Sequence, residues 1–392
     1  MTDYLKEARQ IEAEIVSNRR RIHENAEIGF ELPKTVETVK QALRSYGYEP
    51  EELGGGVTCT CGQGGRTILL RADMDALPQK EESGLPFSCH DGACHSCGHD
   101  AHTAMLLGAA RILKAHEKEL KGTVKFMFQP GEETLRGSQQ MIDAGILVNP
   151  TVDAAMAMHL NFGPCGSHDL SVGTLGYGKK EMMASADEFR ITVKGKATHA
   201  STPENGVNAL NIAAAIINAL QQMITMEFSC DDSTVLAICK LNAGIASNII
   251  PDEAEIMGST RSFSRENREH VKRRMEEIVK AEAAVWNGEA SLEFTVGVDP
   301  NVNDEEMAKE MSSYAADVME RVVPIHPVRG SEDFANFCRY VPTFFAVLCA
   351  GGPVQGYDHP MHDPKMTWDE RCLPYGTAVF CRCASGWLEN HQ

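Results

Sequence analysis

The chain has 392 residues, 43% hydrophobic and 23% charged, which is long enough for two domains with apolar cores and typical of a soluble protein. Its net charge of −18 argues against nucleic acid and anionic membrane surfaces as partners, because both would be repelled. No stretch has the run of roughly 18 uncharged apolar residues that predicts a membrane span. The N-terminal residues 1–24 are charged and helical in pattern, without a signal-peptide core, which predicts a cytoplasmic protein. The thirteen cysteines are scattered and odd in number, which predicts reduced thiols.

The first part of the chain alternates between strand and helix patterns. The predicted elements, in chain order, are strand Thr67–Ala72, helix Asp100–Glu119, strand Thr123–Phe128, helix Ser138–Ala144 and strand Ala154–Met158. This βαβ succession predicts an α/β fold, with a mostly parallel central sheet flanked by helices on both faces.

The pattern changes after the glycine-rich stretch Gly173–Gly178. The next predicted elements are strand Glu188–Lys194, helix Gly206–Thr225, strands Thr234–Leu241 and Glu253–Ser262, helix Arg265–Trp286 and strand Leu292–Val296. This β-α-β-β-α-β order predicts an inserted α+β, ferredoxin-like domain. Helical Glu305–Val322 and strand Thr343–Leu348 then resume the first domain. We therefore predict one domain from 1–185 and 298–392, interrupted by a second at 186–297.

Polar side chains follow each of the three strands predicted in the first domain. Asp73 and Asp75 follow the first strand, Glu132 and Glu133 the second, and His159 the third. Because the carboxyl ends of parallel strands form one crevice, these side chains are expected to share a site. Adjacent glutamates in an extended loop point in different directions, so one is able to bind a metal while the other transfers protons.

The stretch Cys94–His102 (CHSCGHDAH) precedes a helix at the same sheet edge. Cys97 and His99, in an extended segment, are placed to hold one metal from the same side. Two other interpretations stay open: a structural zinc knuckle of Cys94, Cys97, His99 and His102, and a redox Cys94–Cys97 pair. A closed knuckle leaves the polar residues at the strand ends without a role, and the redox motif lacks a thioredoxin-like context.

Other polar candidates lie further along the chain. They are His362, in a proline-rich loop after the last strand; Gly330 and Ser331, in a turn that opens a helix; His199 and Asn248, in loops of the inserted domain; and Arg261, at a strand end. His362 is placed to complete a metal site from the C-terminal half. The others offer a hydrogen-bond donor, an amide and a guanidinium, which suit a carbonyl oxygen and a carboxylate.

Eight motifs in order along the chain resemble one family. They are RADMDALP (71–78), CGHDAHTAMLLGAA (97–110), FQPGEE (128–133), MHL (158–160), THAS (198–201), NIIP (248–251), GSEDFA (330–335) and HDP with DE (362–370). The set resembles the M20 metallopeptidases, in particular the amidohydrolase branch of hippurate hydrolase, N-acyl-L-amino acid hydrolases and plant auxin-conjugate hydrolases. The resemblance implies a catalytic α/β domain and an inserted dimerisation or lid domain, and hence a homodimer or higher homo-oligomer. Cys94 departs from the methionine usual in the family.

The resemblance also implies roles for individual residues. Two divalent metal ions per chain, zinc or manganese with cobalt or nickel also accepted, would be bridged by Cys97. His99 and His159 would bind one ion, and Glu133 and His362 the other. Glu132 would be the general base, with Asp73 and Asp75 in support; His199 and Asn248 would reach the substrate, and Arg261 would bind its carboxylate.

These assignments predict metal-dependent hydrolysis of the amide bond of a small-molecule N-acyl-L-amino acid. Glu132 would remove a proton from a water polarised by the metals, and His199 would stabilise the oxyanion. Arg261, Asn248 or the Gly330–Ser331 turn would hold the substrate carboxylate. Two alternatives remain: a dipeptidase or carboxypeptidase-like hydrolase of the same fold, and a non-catalytic zinc or redox protein.

Overall fold

The computed structural model describes residues 2–163, 171–229 and 233–392, and these form two compact units. The first unit runs to Met182 and also contains Val302–His326 and Asn336–Gln392, whereas the second contains Met183–Asn301 and Pro327–Ala335. The predicted catalytic and inserted domains, with their limits at 185/186 and 297/298, stay a prediction.

The helices and strands of the described residues are numbered here in chain order. The α-helices are α1 (Tyr4–Gln10), α2 (Glu12–Glu24), α3 (Pro33–Ser45), α4 (His99–Ala115), α5 (Gly137–Asp143), α6 (Ala209–Glu227), α7 (Arg265–Val285), α8 (Glu305–Ala315) and α9 (Leu373–Asn390). The strands are β1 (Glu51–Leu53), β2 (Gly56–Gly62), β3 (Thr67–Asp73), β4 (Thr123–Gln129), β5 (Ala154–Asn161), β6 (Thr174–Tyr177), β7 (Glu181–Met183), β8 (Ala186–Lys194), β9 (Thr198–His199), β10 (Val235–Ala243), β11 (Ile249–Ile250), β12 (Glu253–Arg261), β13 (Glu289–Val298), β14 (Asn301–Val302), β15 (Arg321–Pro324) and β16 (Thr343–Cys349).

The first unit is built on an eight-stranded sheet in the order β1-β2-β4-β3-β5-β16-β6-β15. The central strands β4, β3, β5 and β16 run parallel, while β1 and β2 add an antiparallel edge. Every residue of β3, β4 and β16 is buried, as expected where helices cover both faces of a parallel sheet. The predicted α/β fold with a mostly parallel sheet is therefore confirmed.

Helix α4, which lies between β3 and β4 along the chain, is buried in the core of the first unit. All of its residues from His99 to Ala110 are buried, and it packs against β3 and against helices α2 and α9. Its close approach to α9 depends on Gly108, because a Cβ there would lie 2.9 Å from Thr377 Oγ1. The buried packing of α4 fixes the position of the residues at its first turn.

The second unit contains a four-stranded antiparallel sheet in the order β10-β12-β8-β13. Alternate residues of β8, namely Phe189, Ile191 and Val193, are buried, as period-two patterning requires. Helices α6 and α7 cover this face with apolar residues that are mostly four positions apart: Ile212, Ile216 and Leu220, and Val271, Met275 and Val279. Apart from the two-residue strands β9 and β11, the order along the chain is β8-α6-β10-β12-α7-β13, the β-α-β-β-α-β succession that the sequence predicts.

One expectation about an individual segment, the extent of the helix after Glu305, is wrong. The helix predicted over Glu305–Val322 ends at Ala315, and Arg321–Pro324 instead forms strand β15 beside β6. Strand pairing with a distant segment favours the β-branched Val322 and Val323 in an extended conformation. Among the described residues, one helix, α6, is long and apolar enough to span a membrane by length and composition. One such helix is weak evidence, because α6 packs one apolar face onto its sheet.

Candidate metal centre

The predicted polar segments meet at the ends of adjacent parallel strands. Strand β3 lies between β4 and β5, and its register pairs Asp73 with Gln129 at the two strand ends. Strand β5 runs on to Asn161, so His159 lies within the strand and does not follow it as predicted. The carboxyl ends of these strands nevertheless form one edge, where a ligand crevice is expected in a parallel sheet.

A left-handed turn at Gly98 separates Cys97 from His99. Its φ of +95° is a conformation that favours glycine, and a Cβ at this position would lie 3.3 Å from Leu160 Cδ1. The turn starts α4 at His99, so the segment is not extended as predicted. It brings Cys97 Sγ to 3.3 Å from Nε2 of His159, which lies within β5.

The main chain fixes the tautomers of the two candidate histidine ligands. The Nδ1–H of His99 donates to the carbonyl of Asp75 at 2.8 Å, and the Nδ1–H of His159 donates to the carbonyl of Leu160 at 2.6 Å. In its neutral form each ring therefore presents its lone pair on Nε2, as metal-binding histidines do. Nε2 of His99 is buried and has no hydrogen-bond partner. A buried polar atom without a partner costs desolvation free energy, unless a ligand binds to it.

Glu132 and Glu133 lie in a short 3₁₀ turn, not in the extended loop that was predicted. The carboxylate of Asp75 accepts the N–H of Glu132 at 3.0 Å and the N–H of Glu133 at 3.1 Å, so one side chain holds both residues. The two glutamates face different neighbours. Oε2 of Glu132 lies 3.9 Å from Nε2 of His99, and Oε1 of Glu133 lies 3.6 Å from Nε2 of His362.

His362 reaches the centre from the C-terminal part of the chain. Its φ of +67° is unusual for a residue with a side chain and costs about 1–3 kcal/mol, a strain that clusters at functional sites. Its N–H donates to the carbonyl of Ser96 at 2.9 Å, which ties this loop to the segment before Cys97. The imidazole is 55% exposed, so it lies at the rim of the centre.

Two sets of three candidate ligands share Cys97. One set is Cys97, His99 and His159; the other is Cys97, Glu133 and His362, and within each set the ligand atoms all lie within 4.8 Å of one another. Nε2 of His99 and Oε1 of Glu133 are both buried without a hydrogen-bond partner. Sulfur, nitrogen and carboxylate donors in two sets that share one thiol fit a pair of divalent metal ions.

Burial sets the protonation of most of these groups. It raises the pKa of the Cys97 thiol well above its usual range and also raises the pKa of the Glu133 carboxyl, whereas it lowers the pKa of His159 well below its usual range. Burial also disfavours the charged ring of His99, but the charge of Asp73 and the hydrogen bond to Asp75 oppose this effect, and the pKa of His99 is raised. Divalent cations favour the deprotonated thiol and carboxylate, so metal binding should release protons.

The geometry argues against the zinc-knuckle and redox interpretations. His102 uses both ring nitrogens within the fold, because Nδ1–H donates to Asp73 Oδ1 at 2.6 Å and Nε2 accepts the N–H of Leu160 at 2.8 Å. Burial raises the pKa of the Cys94 thiol to about 12. Reactive redox thiols have lowered pKa values, and neither Cys94 nor Cys97 is in a disulfide. Cys165 and Cys230 lie outside the described residues.

The candidates for substrate binding lie in the second unit. His199 is exposed on β9, which pairs with β11, and Asn248 immediately precedes β11, so these two residues are neighbours. Arg261 ends β12 and donates from its guanidinium to the carbonyl of Thr260 at 2.9 Å. Their roles towards a substrate stay predictions.

Gly330 and Ser331 also group with the second unit. The helix that follows them is the 3₁₀ helix Asp333–Arg339, whereas the sequence pattern suggests an ordinary helix N-terminus. A 3₁₀ helix has poorer hydrogen-bond geometry and a short run of aligned amides. An anion-binding role for this turn stays a prediction.

Sequence reasoning missed the groups that support Asp73. Arg71 donates to Oδ2 of Asp73 at 2.6 Å and through Nε to Gln129 at 2.9 Å, and His102 donates to Oδ1. Burial raises the pKa of Asp73, but Arg71, His99 and His102 outweigh it and hold that pKa well below its usual range. Alternate strand residues share a face, so the spacing of 71 and 73 indicated that these two side chains lie together. Helix residues three apart are neighbours, so the spacing of 99 and 102 indicated that both histidines face the same side.

A model of peptidase family M20/M25/M40 matches residues 69–386 of this chain. The chain is 34% identical over 381 residues to an N-acetylcysteine deacetylase of Bacillus subtilis (strain 168), covering 96% of this chain and 97% of the relative. It is 33% identical to IAA-amino acid hydrolase ILR1-like 4 of Arabidopsis thaliana, with coverage of 95% and 86%. It is also 33% identical to thermostable carboxypeptidase 2 of Saccharolobus solfataricus, with coverage of 94% of each chain.

A solved structure is similar over nearly the whole chain. A Bacillus subtilis protein described as a dinuclear metal binding peptidase from the M20 family superposes with a TM-score of 0.84 at 32% identity, covering 97% of this chain and 99% of that one. This agreement extends the match beyond the sequence motifs to the arrangement of the elements.

Proposed function

The chain belongs to peptidase family M20/M25/M40, in its amidohydrolase branch, and on this premise we propose that it hydrolyses the amide bond of N-acyl-L-amino acids. The observation that carries the proposal is the pair of three-ligand sets that share Cys97, beside a glutamate that belongs to neither set. Relatives named as a deacetylase and as an amino acid hydrolase support an acylated amino acid as the substrate.

Two divalent ions, zinc or manganese, are the cofactors that we propose, with cobalt or nickel as alternatives. His99 and His159 would hold one ion and Glu133 and His362 the other, with the Cys97 thiolate shared between them. When bound, such a pair polarises water and the substrate carbonyl. Asp75 supports this arrangement, because its main-chain carbonyl orients His99 and its carboxylate holds the main chain of the Glu132–Glu133 turn.

Glu132 is the general base in this mechanism. Its carboxylate accepts a proton from the attacking water as the water oxygen bonds to the amide carbon, and it then passes that proton to the amine nitrogen as the C–N bond breaks. The turn that Asp75 holds keeps this carboxylate 3.9 Å from Nε2 of His99, beside one ligand set. The products are a carboxylic acid and a free amino acid.

The second unit supplies the substrate-binding groups in our proposal. His199 would donate a hydrogen bond to the oxyanion, and Asn248, Arg261 or the Gly330–Ser331 turn would bind the α-carboxylate. His199 has its Nδ1 beside Ser201 Oγ at 2.7 Å and an exposed ring, which suits contact with a substrate. We further propose a cytoplasmic location, with neither nucleic acid nor membrane as partner, in line with the net charge of −18.

A panel of substrates is expected to separate this proposal from the second candidate, a carboxypeptidase or dipeptidase, which the relative named as a carboxypeptidase favours. With zinc, manganese, cobalt or nickel added, kcat/KM for acetyl, benzoyl, long-chain acyl or indole-acetyl amino acids should exceed that for free dipeptides at least about tenfold. Replacing the α-carboxylate by an amide should lower kcat/KM about 100-fold or more, since the substrate then loses the charge that the proposed Arg261 guanidinium would bind.

The panel has two adverse outcomes. Faster hydrolysis of free dipeptides would favour the dipeptidase, and faster hydrolysis of N-blocked peptides than of acyl amino acids would favour the carboxypeptidase. Absence of hydrolysis with every metal would contradict an enzymatic role for this chain.

The second unit is also expected to hold a homodimer or higher homo-oligomer together. Strand β10 lies at an edge of its sheet. Three apolar side chains are exposed there: Leu241 in β10 (45%), Ile245 in the following loop (91%) and Ile249 in β11 (41%). Sedimentation equilibrium should give a mass of at least two chains, and Leu241→Glu should shift it towards one chain with metal content unchanged, because a charge opposes burial of this edge. A single-chain mass for the wild type would refute this assembly.

A further inference from the structure

We propose that His102 is a positioning residue that orients His159 through the main chain of Leu160. The inference rests on the proposed role of His159 as a metal ligand and assigns a role to a residue outside both ligand sets. His102 is fully buried on the first turn of α4, and its ring lies 4.5 Å from the ring of His159, between centroids.

The hydrogen bonds of His102 define its tautomer. The N–H of Leu160 can only donate, so Nε2 of His102, at 2.8 Å, must accept and carries no proton. The proton of the neutral ring is then on Nδ1, which donates to Oδ1 of Asp73 at 2.6 Å. Both ring nitrogens are therefore occupied, which leaves His102 no lone pair for a metal.

Leu160 connects the two rings. Its N–H is held by His102, and its carbonyl accepts the Nδ1–H of His159 at 2.6 Å. The hydrogen bond at Nδ1 determines that the lone pair of His159 is on Nε2, 3.3 Å from Cys97 Sγ. Any rotation of the main chain at Leu160 would move this carbonyl and turn the imidazole away from the thiol.

Asp73 and Arg71 anchor the other end of the path. Oδ2 of Asp73 accepts from Arg71 at 2.6 Å, and both side chains are fully buried, so the carboxylate is fixed at each oxygen. Asp73, His99 and His102 also have ligand atoms within 4.8 Å of one another. That cluster is not a third metal site in our assignment, because its histidine at 102 and both carboxylate oxygens already have partners.

Two variants of His102 separate its two hydrogen bonds. His102→Asn keeps a donor near Nδ1 for Asp73 but removes the acceptor for Leu160, whereas His102→Gln places a carbonyl oxygen near the position of Nε2 and retains that acceptor. His102→Asn should weaken the binding of one of two Co²⁺ ions about 10–100-fold, measured by competition with a chromophoric chelator, and should change the Co²⁺ absorption spectrum. His102→Gln should recover most of the affinity.

A matched control is His116→Asn, at the far end of α4, which should leave both affinities unchanged. The metal-free wild type gives a test independent of these variants: ¹⁵N-histidine NMR should show His102 as the neutral Nδ1–H tautomer. Wild-type Co²⁺ affinities and spectrum in His102→Asn, or an Nε2–H tautomer, would overturn the role of His102. Failure of the wild type to bind metal would instead overturn the proposed function, so the two failures are distinguishable.

Discussion

Glu132→Gln is expected to lower kcat by about 10²–10⁴-fold while two metal ions per chain stay bound. An amide of the same shape cannot take a proton from water, so the attacking step loses its base. The variant should keep its local structure, because Asp75 holds the main-chain N–H of this residue and not its side chain. Steady-state kinetics on an N-acyl amino acid, together with elemental analysis of the purified protein, measure the two quantities.

The neighbouring residue provides the matched control for this prediction. Glu133→Gln removes a member of one ligand set, so it should lose metal as well as activity. If Glu132→Gln loses metal as readily as Glu133→Gln does, the separation into base and ligand is wrong. Full activity of Glu132→Gln with metal bound would require another base.

Cys97→Ala is expected to have the broadest effect on metal content, since Cys97 is the residue that the two ligand sets share. Each set would fall from three ligands to two, and elemental analysis should find fewer than one bound ion per chain after dialysis. Turnover should drop by at least about 10³-fold because both ions contribute to polarising the reacting groups.

Cys94→Ala is the control for a missing buried thiol. Cys94 is buried like Cys97, but it belongs to neither ligand set. Its replacement should cost about 1 kcal/mol of unfolding free energy, followed by chemical denaturation, and leave two ions bound. Two ions retained in Cys97→Ala would refute the bridging assignment, and loss of metal in Cys94→Ala would restore the zinc knuckle.

The sequence was sufficient to identify the edge of the sheet where the site lies. Continuous apolar runs predicted β3, β4 and β5, and the polar residues at or near their ends, such as Asp73 and His159, followed from the rule that parallel strands present their carboxyl ends together. Ordered motifs over nearly the whole chain identified the family, which the comparisons confirm.

Local conformation was harder to predict where a contact distant in sequence overrides it. The left-handed turn at Gly98 and the 3₁₀ turn at Glu132 replace two segments predicted as extended. Val322 became part of a strand because β6 lies beside it, although the pattern favoured a continuing helix. Propensity and periodicity describe neighbours within a few positions, so they miss such pairings.

By itself, the sequence determined the fold class, the family and the residue types that a dinuclear site requires, because each follows from local pattern or motif order. Only the tertiary structure decided which of the clustered histidines is available to a metal. His99 and His102 look equivalent in CHSCGHDAH, yet Nε2 of His99 is buried without a partner while His102 bonds Asp73 and Leu160. Whether a ring nitrogen has a lone pair available for a metal depends on groups far away in sequence. Only the fold brings those groups within hydrogen-bond distance.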